Sequence, residues 1–261
     1  MATLKNTIIN DTGYLTVPVG TTSTRPGTPV NGQIRFNTDS QVLENYASSA
    51  WRTPIVTNGL VMHLDPGNKN SYAGFGTTLR DITGNGNNAL MVGSPSYSAS
   101  YGGVIEFNGS NYASISSINL VGGTSTVMGA ARYTGTGATG RVISSMANNW
   151  LLGHWSSSTQ NYYAEGWVSA VGAGGNDTAW RIYTGLGDAS TDSWAMYVNG
   201  VLNAGPNANG SQGPNGICLG GVGGAGEGSA SQVGFVLAYN RVLTVAEIQQ
   251  NYNAFRARYS L

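Results

Sequence analysis

Short stretches in which apolar and polar positions alternate recur along most of the chain. Residues 60–64, 104–107, 112–115, 142–146, 180–183, 194–198 and 235–239 each combine that alternation with β-branched or aromatic side chains. A period of two puts one set of side chains on one face, so each segment reads as a strand. Seven Asn-Gly dipeptides punctuate the pattern, starting at Asn31, Asn58, Asn85, Asn108, Asn199, Asn209 and Asn215. Both residues of this pair accept positive φ at a turn centre, which makes it a strong hairpin signal. Many short strands with turns every ten or so residues predict an all-β sandwich or barrel.

The period changes once, near the C-terminus. Thr244-Val245-Ala246-Glu247 has the form of a capping box, and Leu243 and Ile248 flank it as a hydrophobic staple. Ile248, Tyr252, Phe255 and Tyr259 then follow at spacings of four, three and four. That is one apolar stripe of an amphipathic helix, expected to close an edge or end of the β-domain.

The first 57 residues have a different character. Residues 21–29 are turn-rich and extended, with Pro26 and Pro29. A hairpin over 33–37 and 42–46 follows, with Ile34 and Phe36 on one face. Its large apolar side chains, Ile34, Phe36, Leu43, Tyr46 and Trp51, are too few for an independent core. The chain therefore divides into an attachment or oligomerisation segment, 1–57, and a β-sandwich, 58–261.

Composition narrows the classes further. The 261 residues include 39 Gly, 26 Asn, 26 Ser and 24 Thr, and only 9% are charged. Forty per cent apolar content supports a real core. The glycines have no three-residue period, which excludes a collagen shaft. Twelve cationic and twelve anionic residues balance to zero without a basic cluster, which argues against nucleic-acid binding. A monomer of this mass exposes about 11,000 Å², or roughly one charge per 450 Å². Such thin charge cover predicts that part of the surface faces other subunits. No run of 18 apolar residues spans a membrane, and Met1-Ala2-Thr3-Leu4-Lys5 lacks the apolar core of a secretory signal. The one cysteine, Cys218, lies in an apolar triplet and reads as a small buried hydrophobe.

Candidate chemistry is sparse. G-x-G-x-x-G occurs at 135–140 and 221–226, but neither match leads into a helix as a dinucleotide site requires. His63 and His154 stand 91 residues apart and read as structural histidines, with a metal pair across a sheet as the alternative. Glycosidase chemistry needs two converging acids, yet Glu106 and Glu165 are each alone in their segments, and Asp188 and Asp192 lie in a loop. The run Asp81–Asn88 is the densest in oxygen ligands. It offers a weak calcium site near Asp81, or an Asx-rich turn, which its single carboxylate favours. No other cofactor is expected, and no catalytic residue is assigned. Trp150, Trp155, Tyr162, Tyr163 and Trp167 crowd one quarter of the chain beside Ser, Gln and Asn. Aromatic faces next to neutral polar groups suit stacking on sugars, which makes Trp155, Tyr162, Tyr163 and Trp167 the candidate glycan contacts.

Several of these motifs together carry a resemblance. They are the run 59–68, Ser71-Tyr72, the run 76–88, Phe107-Asn108-Gly109 with Tyr112, and Tyr197-Val198-Asn199-Gly200. Tyr239-Asn240-Arg241-Val242-Leu243-Thr244 then leads into Glu247-Ile248 and Asn251-Tyr252. In these residues the larger segment resembles the concanavalin A-like (laminin-G-like) jelly-roll family. Members often carry an aromatic at Leu79-Arg80 and an acid at Val233-Gly234; the missing acid weakens any metal site carried over. Arg25-Pro26, Pro29, Gly32, Ile34-Arg35-Phe36-Asn37-Thr38, Glu44, Tyr46 and Trp51 resemble a short module of tail fibres and related virion proteins of tailed phages. Together the resemblances imply a bacteriophage virion structural protein, assembled in the host cytoplasm and displayed on the particle as a fibre, spike or capsid decoration. They also imply a homotrimer that contacts other virion proteins, with a lectin-like sandwich for host-surface glycans and no enzymatic activity. The alternatives are a capsid cement protein without a ligand and a polysaccharide depolymerase.

Overall fold

The computed structural model describes residues 13, 15–38, 42–47, 50–52, 54–135 and 138–261. The chain forms two compact units, Met1–Pro54 and Ile55–Leu261. Met1–Lys5 and residues 136–137 of the first glycine match lie outside the described residues.

The N-terminal unit is one small sheet of β1 (Val19–Gly20), β2 (Ile34–Asn37), β3 (Val42–Ala47) and β4 (Ala50–Arg52), paired in that order. β1 runs parallel to β2, and the expected hairpin is β2–β3, with Phe36 opposite Leu43. Its interior is ionic. Arg35, Asn37 and Glu44 are buried, while Ile34 and Leu43 are 54% and 48% exposed. Phe36, Tyr46 and Trp51 are half-buried, Tyr46 and Trp51 meeting edge to face at 5.5 Å. Glu44 accepts hydrogen bonds from Arg25 at 3.2 and 2.6 Å and from Asn37 at 3.0 Å. Arg35 donates to the Thr21 carbonyl at 3.0 Å and to Thr24 Oγ1 at 3.2 Å. Burial pushes the Glu44 carboxyl upward, but the Arg25 and Asn37 bonds and the charges of Arg25 and Arg35 outweigh it, so the net shift is downward.

The larger unit holds β5 (Leu60–Leu64), β6 (Thr78–Leu79), β7 (Ala89–Val92), β8 (Ser96–Ser98), β9 (Val104–Asn108), β10 (Tyr112–Asn119), β11 (Thr124–Tyr133) and β12 (Ile143–Ser144). It continues with β13 (Trp150–Trp155), β14 (Ser158–Ala164), β15 (Arg181–Asp188), β16 (Ser193–Val198), β17 (Val201–Asn207), β18 (Asn215–Leu219) and β19 (Ala230–Tyr239). Helix α1 (Val245–Phe255) and a 3₁₀ turn, Arg256–Tyr259, end the chain. Seven strands pair as β14-β13-β12-β18-β10-β7-β6. Eight form the other sheet, ordered β17-β16-β15-β11-β19-β9-β8, with β5 also on β19. The named ladders of both are antiparallel, so the unit is a β-sandwich.

The eight-stranded sheet is apolar on both faces. From β11 and β19, Val127, Ala131, Val233, Val236 and Ala238 enter the inter-sheet core with Trp150, Tyr162 and Trp194. Met128, Ala130, Phe235, Leu237 and Tyr239 point the other way and join Ile248, Phe255 and Tyr259. The helix therefore covers the outer face of this sheet instead of an edge or end. Phe255 stacks on Phe235 at 3.7 Å, and each such burial contributes about 1.5–3 kcal/mol. The capping box forms as expected, with Thr244 Oγ1 accepting from Glu247 N–H and Glu247 Oε2 accepting from Thr244 N–H.

Other elements differ from the sequence pattern. The strand expected over 142–146 is only Ile143–Ser144. Ser145 Oγ turns to Asn148 at 2.5 Å and to the Asn215 carbonyl at 2.8 Å, which takes the chain out of the ladder. β15 runs on from 183 to Asp188 through Gly185 and Gly187, which look like turn residues in sequence. A Cβ at Gly187 would sit 2.2 Å from the Trp194 ring, so these glycines serve close packing. β11 has no counterpart among the strands read from the pattern because Gly129-Ala130-Ala131 lacks β-branched residues. Of the Asn-Gly pairs, Asn199-Gly200 makes the hairpin turn expected of it, at φ 51° and 77°. Asn215-Gly216 instead begins β18, and Gly210 lets the backbone approach Trp194.

Candidate functional site

Strand alternation sorts the aromatic quarter of the chain. Tyr162 lies on the core side with Leu152, 1% exposed, edge-on to Trp150 at 5.8 Å, and its hydroxyl donates to the Leu186 carbonyl at 3.1 Å. It is a core residue and not a glycan contact, which corrects the sequence expectation. Tyr163, next in the strand, emerges on the other face. Trp167 reaches it because the chain folds back through Glu165 at φ 55°, with Val168 N–H donating to the Tyr162 carbonyl at 3.0 Å. Trp155, Tyr163 and Trp167 thus form a half-buried cluster on the edge hairpin β13–β14, with centroid separations of 5.2 Å (Trp155–Trp167) and 5.0 Å (Tyr163–Trp167).

A second arrangement has no signature in the sequence. On the helix-bearing side of the eight-stranded sheet, register places Ser96, Glu106, Gln232 and Arg132 in one row across β8, β9, β19 and β11. Their side chains are linked end to end. Ser96 Oγ donates to Glu106 Oε2 at 3.0 Å, Gln232 Nε2 donates to Glu106 Oε1, and Arg132 Nε donates to Gln232 Oε1 at 2.8 Å. The row floors a cleft of about 480 Å³ that also takes in Asn108, Asn111 and Thr134. Arg132 lies 4.9 Å from the Tyr101 ring centroid and 5.3 Å from that of Trp180, which fixes its guanidinium by cation–π attraction. Tyr101 is 37% exposed and adopts φ 54°, a left-handed conformation uncommon for an aromatic. In sequence Glu106 registers only as a lone acid. Its partners come from segments up to 126 residues away, so only strand register reveals the row.

The remaining candidates have structural partners. The Asp81 carboxylate accepts from His63 N–H at 3.0 Å, Thr83 N–H at 3.0 Å, Thr83 Oγ1 at 2.8 Å and Asn87 N–H at 3.1 Å, the bonding of an Asx-rich turn. Among the described residues no group of three His, Cys, Asp or Glu could hold a metal ion. His154 is fully buried between Tyr133 and Tyr183, at 4.5 and 5.2 Å, and burial drives its imidazolium down to about 3. His63 packs edge-on against Phe255 and is also shifted downward by burial. Glu165 accepts from Asn149 N–H at 2.7 Å, Asp188 from Ser190 and Thr191, and Asp192 from Trp194 Nε1 at 3.2 Å. Cys218 is buried, its thiol pushed up to about 11 by desolvation. It contacts the Gly224 carbonyl at 3.3 Å, in the loop of the second glycine match. No described helix is long and apolar enough to cross a membrane.

No protein-family model matches the chain, and no curated protein matches it in sequence. Solved structures do match. The binding domain of Paraclostridial Mosquitocidal Protein 1 is similar at TM-score 0.56 and 13% identity, over 76% of this chain and 52% of that one. Domain 4 of an extracellular arabinanase from Geobacillus stearothermophilus, in complex with arabinotriose, is similar at TM-score 0.55 and 16% identity, over 74% and 98%. The ligand-binding domain of botulinum neurotoxin serotype D, in complex with N-acetylneuraminic acid, gives TM-score 0.53 and 13% identity, over 75% and 50%. The chain thus spans about half of the two toxin chains and nearly all of the arabinanase domain. At these identities the likeness establishes the fold alone, a β-sandwich.

Proposed function

We propose that this chain is a bacteriophage virion structural protein whose concanavalin A-like jelly-roll sandwich adheres to host-surface glycans. The observation that carries the glycan reading is the cleft over Ser96–Glu106–Gln232–Arg132. Carboxylate, amide and guanidinium groups held in a fixed row, with an exposed tyrosine at one end, match the in-plane hydroxyls of a pyranose. The half-buried Trp155–Tyr163–Trp167 cluster offers a second stacking surface. Structural neighbours bound to arabinotriose and N-acetylneuraminic acid support the same reading. Many copies on a particle would make weak single sites sufficient. The N-terminal unit, with Ile34 and Leu43 turned outward, is the proposed contact with sister subunits in a homotrimer and with other virion proteins.

A glycan-array measurement tests this. The protein retains a defined set of glycans, and Arg132→Ala lowers their affinity at least tenfold while the circular dichroism spectrum is unchanged. Arg132→Ala binding as the wild type does would remove the cleft from the reading. The outward Ile34 and Leu43 equally suit a capsid cement protein, which would retain no glycan and still join particles.

A further inference from the structure

We infer that the concavity beside the β5–β6 connection binds a carboxylate-bearing residue of an acidic saccharide. Phe75 supplies the stacking face, and Lys69 and Arg80 receive the carboxylate. The inference rests on the glycan-binding reading and names a ligand class and a site distinct from the cleft.

The concavity has a volume of about 550 Å³, within the range of small-ligand sites. Its walls come from residues 69–80, and they include Lys69 and Arg80 but no acid. Charge is scarce in this protein, so where it goes unpaired is informative. Among the described residues Arg25, Arg35, Arg141, Arg181, Arg241 and Arg258 each pair with a carboxylate. Lys69, Arg80, Arg132 and Arg256 have no such partner; Arg132 and Arg256 lie over the Tyr101 and Tyr252 rings, whereas Lys69 and Arg80 both line this hollow. The nearby acids are already occupied, Asp65 by Arg258 at 2.9 Å and Asp81 by the backbone of its own turn.

Phe75 is 78% exposed, the most exposed of the large apolar side chains among the described residues. Gly74 and Gly76, at φ 95° and 92°, flank it and turn the chain so that the ring stands outward. The loop is propped from beneath: Tyr72 hydroxyl donates to the Gly76 carbonyl at 2.9 Å, and the Tyr72 ring packs on Tyr97 at 5.5 Å. Ser71 Oγ bonds the Arg80 carbonyl at 2.5 Å and Arg80 N–H bonds the Ser71 carbonyl at 2.7 Å, which ties the two cationic ends together. A ring presented to solvent beside two unpaired cations suits a sugar whose flat face is apolar and whose edge carries a negative charge.

The test compares sialyllactose and an oligogalacturonate with their carboxyl-reduced counterparts, by titration calorimetry at 50 and 300 mM salt. The wild-type protein binds at least one acidic probe ten times or more tightly than its reduced form, and the preference shrinks at high salt. Phe75→Ala weakens that binding at least tenfold, and the double variant Lys69→Gln/Arg80→Gln abolishes the preference. All three residues are exposed, and unchanged melting temperatures verify folding. Equal binding of acidic and reduced probes, or a preference surviving in the double variant, overturns the inference. If neutral glycans bind and depend on Arg132 while acidic and reduced probes bind equally, the cleft reading stands and this site falls. If no saccharide binds at all, both fall.

Discussion

At the scale of single residues, burial decides what the titratable and smallest side chains do. His154 is neutral because desolvation between two tyrosines, reinforced by the Arg181 charge, outweighs the opposing pull of Asp177 on an imidazolium. Its folded value of about 3 lies below the ordinary 6.5, so the unfolded chain binds the proton first as pH falls. The stability it provides is complete above about pH 6.5 and is lost progressively toward pH 3, by about 3–5 kcal/mol. Denaturant titrations at pH 7 and pH 4 are expected to show a smaller acid loss for His154→Phe than for the wild type. Gly187 shows the same dominance of packing. A methyl group there meets the Trp194 ring at 2.2 Å, and that tryptophan is fully buried. Gly187→Ala should lower unfolding free energy by about 1–3 kcal/mol, measured by urea denaturation.

Among the elements, the C-terminal helix shows how local signals and tertiary contacts divide the work. Its cap is local: Thr244 and Glu247 bond reciprocally, and Arg241 clamps Glu247 at 2.6 Å. Hydrogen bonding from Arg241 leads the effects that draw the Glu247 carboxyl down to about 2. Its placement depends on Asn251, which is wholly buried. Asn251 Oδ1 accepts from Val56 N–H at 2.8 Å, Nδ2 donates to Tyr239 Oη at 2.9 Å, and that hydroxyl donates to the Val56 carbonyl at 2.9 Å. Asn251→Ala strands a buried backbone N–H, so a loss of about 1–3 kcal/mol is expected in thermal or chemical unfolding. The helical period made the stripe of Ile248, Phe255 and Tyr259 legible. The sheet face it covers was not, because β19 is apolar on both faces and alternation has no contrast to read there.

For the molecule as a whole, the two units are built on opposite plans. The larger unit has an apolar interior on both sides of its eight-stranded sheet, and residues 55–261 are expected to fold alone with a cooperative melt. Persistence of native near-ultraviolet circular dichroism in that fragment is the check; a molten spectrum would contradict it. The smaller unit buries Arg35, Asn37 and Glu44 and turns Ile34 and Leu43 outward. A buried ion pair contributes little net stability, though breaking it is strongly unfavourable. Glu44→Ala therefore should unfold the β2–β3 hairpin, seen as loss of hydrogen-exchange protection there, and leave residues 55–261 unaffected.

Sequence alone determined the all-β class, the capped terminal helix and the Asn199-Gly200 hairpin turn. Each depends on neighbours a few positions apart, where period and turn chemistry act directly. Tertiary structure alone decided that Tyr162 faces inward, that Trp155, Tyr163 and Trp167 gather, and that Ser96, Glu106, Gln232 and Arg132 form one row. Those outcomes depend on strand register and sheet order, which bring together side chains separated by up to 126 residues and leave no local trace.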